Sequence, residues 1–259
     1  MANPALILKL ERMGGRAWPA RIEERLGGWT LRAADGVTRR ANSVLPLGDP
    51  GVANLDTAIQ RVVRFYEQQS LPPRFQMTIA SQPPNLEDLL VAMGFKEETR
   101  VIVQVASNPS LDAVKHTYEV QVTATPRQDW LATYGQTEGY DQPSLAVRRG
   151  IMDRVSLPKA YAAALVEGST VGVGFGVLDQ GWLGIFAIGT LERHRRHGVA
   201  TAVTRALTRW ALSKGVRRAY LQVSQDNESA KRLYARLGFR DCYVYWCRTG
   251  EIPTVQRAG

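Results

Sequence analysis

The sequence predicts an α/β fold in two domains, and three observations carry that expectation. Strand-like and helix-like stretches alternate along the chain, the pattern of layered sheet-and-helix proteins. At 259 residues the chain suits two domains of ordinary size. Shifting the sequence by 144 residues lays the first half on the second without a gap, so that "RFQMTIASQPPNLEDLLVAMGF" (74–95) falls on "RAYLQVSQDNESAKRLYARLGF" (218–239). Arg61 then meets Arg205, Leu89 meets Leu233, and Gly94-Phe95 meet Gly238-Phe239. Identities are few, but the apolar pattern and the shared Gly-Phe ending read as a degenerate repeat.

The breaks come at "LPLGDPG" (45–51), "SQPPN" (81–85) and "SNPSLDA" (107–113). The last lies between strand-like "RVIVQV" and strand-like "YEVQVTA", which makes it the expected linker and gives domains of 1–112 and 117–259. In the second half "YEVQVTA" (118–124) alternates as a strand, and "RQDWLATYG" and "SLAVRRGIMDRV" are helical. "KAYAAALVEG" and "STVGVGFGVLD" read as a hairpin around Glu167-Gly168. "GWLGIFAIGT" (181–190) is mostly apolar between turn signals, as a buried central strand is. Val199, Val203, Ala206, Leu207 and Trp210 then repeat at helical spacing, with Gly215 as the stop. "AYLQVS" is a strand. Asp226 or Asn227 caps a helix with Ala230, Leu233 and Leu237 on one face and Gly238 at its end, and "CYVYWCR" is a final strand.

Composition narrows the function. Hydrophobic residues make up 44% and charged residues 22%, a globular balance. The only cysteines, Cys242 and Cys247, form neither a disulfide framework nor a metal-ligand cluster, so no metal is expected and a reducing cytoplasm suits the chain. No 18-residue apolar stretch and no cleavage-site pattern occurs, and a soluble, unexported protein away from membranes is the expectation. The net charge is +9, but the basic residues are spread out, without the aromatic-interleaved stripe of a nucleic-acid binder. Nothing in the sequence fixes an oligomeric state.

The exception to that spread is "LERHRRHGVATAVTRAL" (191–207), which sets His194, Arg195, Arg196 and His197 where a helix begins. A helix N-terminus already carries positive partial charge, so added cations cost stability unless an anion sits on them. A strand ending near Gly189, a turn, and a helix starting near Gly198 make an anion site, and a residue without Cβ lets a phosphate approach the backbone. Neither the G-x-x-x-x-G-K-[ST] loop nor G-x-G-x-x-G is present. Arg195-Arg196-His197-Gly198-Val199-Ala200 fits R/Q-x-x-G-x-G/A instead, and resembles the pyrophosphate-binding loop of the GNAT superfamily of N-acetyltransferases, which bind acetyl-CoA. The following segment matches the family's N-x-x-A-x-x-L-Y-x-x-x-G-F at Asn227, Ala230, Leu233, Tyr234, Gly238 and Phe239. The resemblance spans about 117–248 and, more faintly, the first half. Thr190 and Glu192 stand where the family often has Val and Pro.

The resemblance implies two GNAT-like domains, each a mixed central sheet flanked by helices. In the second, strands 181–190 and 219–223 splay and pantetheine lies between them, on backbone groups near Ile188 and Thr190. Amides of residues 196–201 (Arg196, His197, Gly198, Val199, Ala200, Thr201) hold the pyrophosphate, Arg195 and Arg196 add charge, and Asn227 sits beside the cosubstrate or merely caps its helix. Tyr234 is the expected general acid for the departing thiolate. The matching position in the first half is Leu90, and "GVANLD" (51–56) replaces the loop with Asn54 for Gly198, so that half is expected to support the fold and wall the acceptor site. Glu138 and Glu167 are the acidic residues considered for the base, beside a water chain. The function implied is transfer of acetyl from acetyl-CoA to a small-molecule or peptide amine by direct attack in a ternary complex. The rivals are a transferase of a longer acyl group and a non-catalytic CoA-binding or nucleic-acid-binding module.

Overall fold

The computed structural model describes residues 2–109 and 118–251. The expected linker at 107–113 therefore lies mostly outside the described residues. In chain order the elements are α1 (Pro4–Ala17), β1 (Ile22–Leu26), β2 (Trp29–Ala33), β3 (Leu45–Pro46), α2 (Leu55–Glu67), β4 (Arg74–Met77), α3 (Leu86–Ala92), β5 (Lys96–Glu97), β6 (Val101–Ser107) and β7 (Glu119–Thr123). They continue with α4 (Trp130–Glu138), α5 (Gln142–Arg154), β8 (Lys159–Val166), β9 (Ser169–Asp179), β10 (Trp182–Thr190), α6 (Val199–Ser213), β11 (Arg218–Ser224), α7 (Glu228–Arg236) and β12 (Arg240–Thr249). No helix among the described residues is long and apolar enough to cross a membrane. The chain divides into two compact units, Met1–Val101 with Tyr243–Gly259, and Ile102–Cys242.

In the second unit the strands run β6-β11-β10-β9-β8-β7, with β10 and β11 parallel and β10-β9-β8-β7 antiparallel. The expected hairpin is present: β8 and β9 meet at Glu167 and Gly168, whose φ values of 50° and 77° belong to the tight turns that match strand twist. Gly172, Gly174 and Gly176 alternate along β9 on the face that α6 covers. A Cβ on Gly174 would strike Val203 and Ile188, and one on Gly176 would come within 3.0 Å of Leu207. The missing side chains let α6 sit close against the sheet, and its buried face includes Val199, Val203 and Leu207.

The first unit packs β1-β2-β3, α1, α2 and α3 with β4, which pairs antiparallel with β12 from Arg74↔Thr249 to Met77↔Trp246. Its core joins Trp29, Phe75, Ile59, Val62, Tyr66, Leu86 and Leu90. The 144-residue shift reappears in the element bounds: α2 starts at Leu55 and α6 at Val199, β4 at Arg74 and β11 at Arg218, while α3 ends at Ala92 and α7 at Arg236. Both later helices close the same way. The N–H of Phe95 bonds the Leu90 carbonyl and that of Phe239 the Tyr234 carbonyl, across Gly94 and Gly238 at φ of 81° and 86°.

Candidate active site

The site grows out of an interrupted ladder. β10 pairs with β11 only from Trp182↔Arg218 to Ile185↔Leu221, and beyond that both strands run on without pairing to one another, β10 through Thr190 and β11 through Ser224. On its other edge β10 leaves register with β9 between Phe186 and Gly189, where Ala187 takes φ 50°. This bulge puts an extra residue into β10 and takes Ala187 and Ile188 out of the ladder. A wedge-shaped gap with backbone donors and acceptors on one wall results. Thr190, at its end, holds a buried Oγ1 with no hydrogen-bond partner.

A short 3₁₀ turn, Glu192–His194, leads to the start of α6. Arg196 and Gly198 both have left-handed backbones, φ 64° and 87°, which folds the chain back and leaves Gly198 as the residue before the first helical turn. The first helical bond runs from the Ala202 N–H to the Gly198 carbonyl, so the N–H groups of Gly198, Val199, Ala200 and Thr201 have no intrahelical acceptor. No side chain caps this helix. Thr190 pairs with Gly172, and a Cβ on Gly172 would strike Val199, so the unfilled helix end is seated over the end of β10. The first half differs at the matching place: Asn54 precedes α2 and its Oδ1 accepts the Asp56 N–H at 2.8 Å. There the chain caps its own helix.

The basic side chains do not all point to one task. Arg195 donates from Nε to the Thr190 carbonyl (3.3 Å) and from Nη2 to the Thr137 carbonyl (3.2 Å), tying the end of β10 to the end of α4. Gly189 makes this approach possible, since a Cβ there would run into Thr137. Arg196 and His197 are exposed, and His194 Nε2 accepts from Arg193 Nε at 3.1 Å. Asn227 caps α7, with its Oδ1 accepting the Ala230 N–H at 3.0 Å.

Tyr234 is buried on α7, its ring edge-on to Phe239, and its hydroxyl makes no hydrogen bond to a described residue. Burial pushes its pKa up to about 12, and the nearby Glu138 carboxylate pushes in the same direction. Glu138, the last residue of α4, is itself raised above the usual carboxylate range by desolvation, opposed by the charges of Arg148 and Arg195 and by a hydrogen bond with Tyr140. The structure thus brings Thr190, Arg195, Glu138 and Tyr234 into one electrostatic neighbourhood beside the open amides. Glu167 stays apart, exposed in the β8–β9 turn. The sequence named Glu138 as a possible base but not its electrostatic influence on Tyr234, which depends on Gly189 and Arg195 holding the end of α4 against β10. No cluster of three or more potential metal-binding residues occurs among the described residues.

Such a site can hold a polyanion on the helix end and an extended chain along the wedge, and can hold a proton on a phenol next to a carboxylate. Comparison with known proteins gives the family. The family model described as "Probable histone acetyltransferase Rv0428c C-terminal" matches residues 5–247. The chain is 30% identical over 238 residues to the "Uncharacterized N-acetyltransferase YobR" of Bacillus subtilis, covering 90% of this chain and 94% of that one. It is 27% identical over 237 residues to the "Probable histone acetyltransferase Rv0428c" of Mycobacterium tuberculosis, covering 91% and 71%. Among solved structures, a GCN5-related N-acetyltransferase from Kribbella flavida superposes with a TM-score of 0.71 at 16% identity over 96% of each chain. A tandem GNAT protein of the clavulanic acid pathway gives a TM-score of 0.63 at 14% identity over 93% and 88%.

Proposed function

The chain belongs to that acetyltransferase family and to the GNAT superfamily of acyl-CoA-dependent N-acetyltransferases, and from this premise we propose that its second unit transfers acetyl from acetyl-CoA directly to a primary amine. The observation that carries the reading is the helix end at Gly198, with four unclaimed amides seated over the broken β10–β11 ladder. Pyrophosphate oxygens fit those amides, with the exposed Arg196 beside them. Pantetheine, which is extended and carries amide groups, fits the unladdered backbone at Ala187–Ile188 and the unpartnered Thr190 hydroxyl. Arg195 contributes charge while its N–H groups brace α4. Asn227 contributes by holding α7 and so Tyr234 in place.

In the reaction the amine nitrogen attacks the thioester carbon, the C–S bond breaks, and the thiolate takes a proton from Tyr234. The amine's surplus proton goes to Glu138 directly or through water. The two groups are coupled. A phenol at about 12 is a reluctant acid toward a thiolate, and the Glu138 charge is one cause of that reluctance. An ammonium group pairing with Glu138, or a proton arriving on it, cancels that charge and strengthens Tyr234 as an acid when the leaving group needs it.

Titration calorimetry with acetyl-CoA tests the reading. Wild type is expected to bind, and Gly198→Asp to lose binding while staying folded, because a carboxylate would face the pyrophosphate from a residue that needs φ 87°. Unchanged affinity in a folded variant overturns the site.

A further inference from the structure

The edge strand β7 and α6 enclose a cavity of about 440 Å³ that the acyl-transfer chemistry does not use. Its walls are Val120 and Val122 of β7, two alanines and Trp210 of α6, with Tyr118, Arg205 and Arg209 as the polar groups. Among the described residues no carboxylate lines it. The cavity is separate from the wedge: β7 lies three strands from β10, about 14 Å at ordinary strand spacing. Arg205 lies six residues beyond the helix start at Val199, a rise of about 9 Å.

Arg205 is the telling residue. It is only 7% exposed, it makes no ion pair with a described residue, and its Nε is buried with no hydrogen-bond partner. A buried guanidinium N–H left unmade is costly, so the position asks for an acceptor. Arg209 follows one turn later on the same face, exposed at the rim, and two like charges at that spacing repel unless an anion lies between them. Free phosphate would satisfy the arginines but leave the valines and the indole facing it to no purpose.

We propose that this cavity binds a small aromatic monocarboxylate. The carboxylate takes the terminal nitrogens of Arg205, and Arg209 adds charge at the rim. The ring lies against Trp210, Val120 and Val122, within a volume typical of small-ligand sites.

Calorimetry on the full chain decides it, with phenylacetate as the probe, phenylacetamide as its neutral counterpart and inorganic phosphate as the bare anion. The expected result is saturable phenylacetate binding at one per chain, at least ~10-fold weaker binding of the amide and of phosphate, and no displacement by saturating CoA. Arg205→Met is expected to weaken phenylacetate by ~10-fold or more. Should that variant fail to fold, Arg209→Met, altered only at the exposed rim, is expected to weaken it several-fold. Absence of saturable binding to wild type, phosphate binding as tight as phenylacetate, competition by CoA, or arginine variants that bind like wild type each overturns the proposal.

Discussion

Tyr234 and Leu90 occupy matching positions at the ends of matching helices, and both are buried. A leucine therefore serves for packing at the matching position, where no hydroxyl is needed. Tyr234→Phe keeps the ring against Phe239, so the melting temperature and acetyl-CoA affinity are expected to hold while kcat falls by roughly 10²–10⁴. Full turnover in the Phe variant would make Tyr234 a packing residue. Glu138 gives a second prediction, on pH. Its carboxyl titrates above the ordinary range, and it must be ionised to accept a proton, so activity is expected to fall on acidification through that raised pKa. Glu138→Gln is expected to lower kcat/KM and flatten this acid limb; an unchanged limb would assign it to another group. Tyr234 and Gly198 were singled out because each lies in a short local motif that resembles the family's. Glu138 was named only as one of two possible bases, because nothing local says which carboxylate a distant helix carries to the phenol.

At the scale of elements, the strands and helices of the second half follow periodicity closely, and the capping choice at Asn227 over Asp226 is settled by its bond to Ala230. Two devices escaped the reading. The bulge at Ala187 sits inside a continuous apolar run, where one residue out of register leaves no mark on hydrophobicity. The alternating glycines of "VGVGFGV" look like a weak strand, yet they make the seat for α6. Gly174→Ala, whose new methyl would meet Val203 and Ile188, is expected to destabilise by about 1–3 kcal/mol in denaturant unfolding. It is also expected to weaken acetyl-CoA binding, since α6 carries the amides. A loss of stability with intact affinity would show that the helix end tolerates displacement.

Across the whole molecule, only one of the two matched helix starts is left open. Asn54 fills with its own side chain the position that stays uncapped at Gly198. CoA is therefore expected to bind once per chain, and a calorimetric stoichiometry of two would show that the first half keeps a working loop. The 144-residue offset was readable because helix and strand starts preserve it. The return of the chain after Tyr243 to pair with β4 was not, since apolar alternation marks a strand but does not name its neighbour.

That returning strand imposes an order of events. Tyr243 donates to Glu11 at 2.7 Å, and Arg248 reaches Glu87, so residues at the far end of the sequence complete a body begun at its start. Synthesis delivers everything from Ile102 to Cys242 in between, a delay of about 10–30 s at ordinary translation rates. The second unit is thus contiguous in sequence, whereas the first waits for its last strand until the far end of the chain is made. A chain ending at Cys242 is expected to show fast hydrogen exchange through β4 and α3 with protection kept in β8–β10. Full protection of β4 in that truncated chain would mean the last strand is a late addition and no keystone.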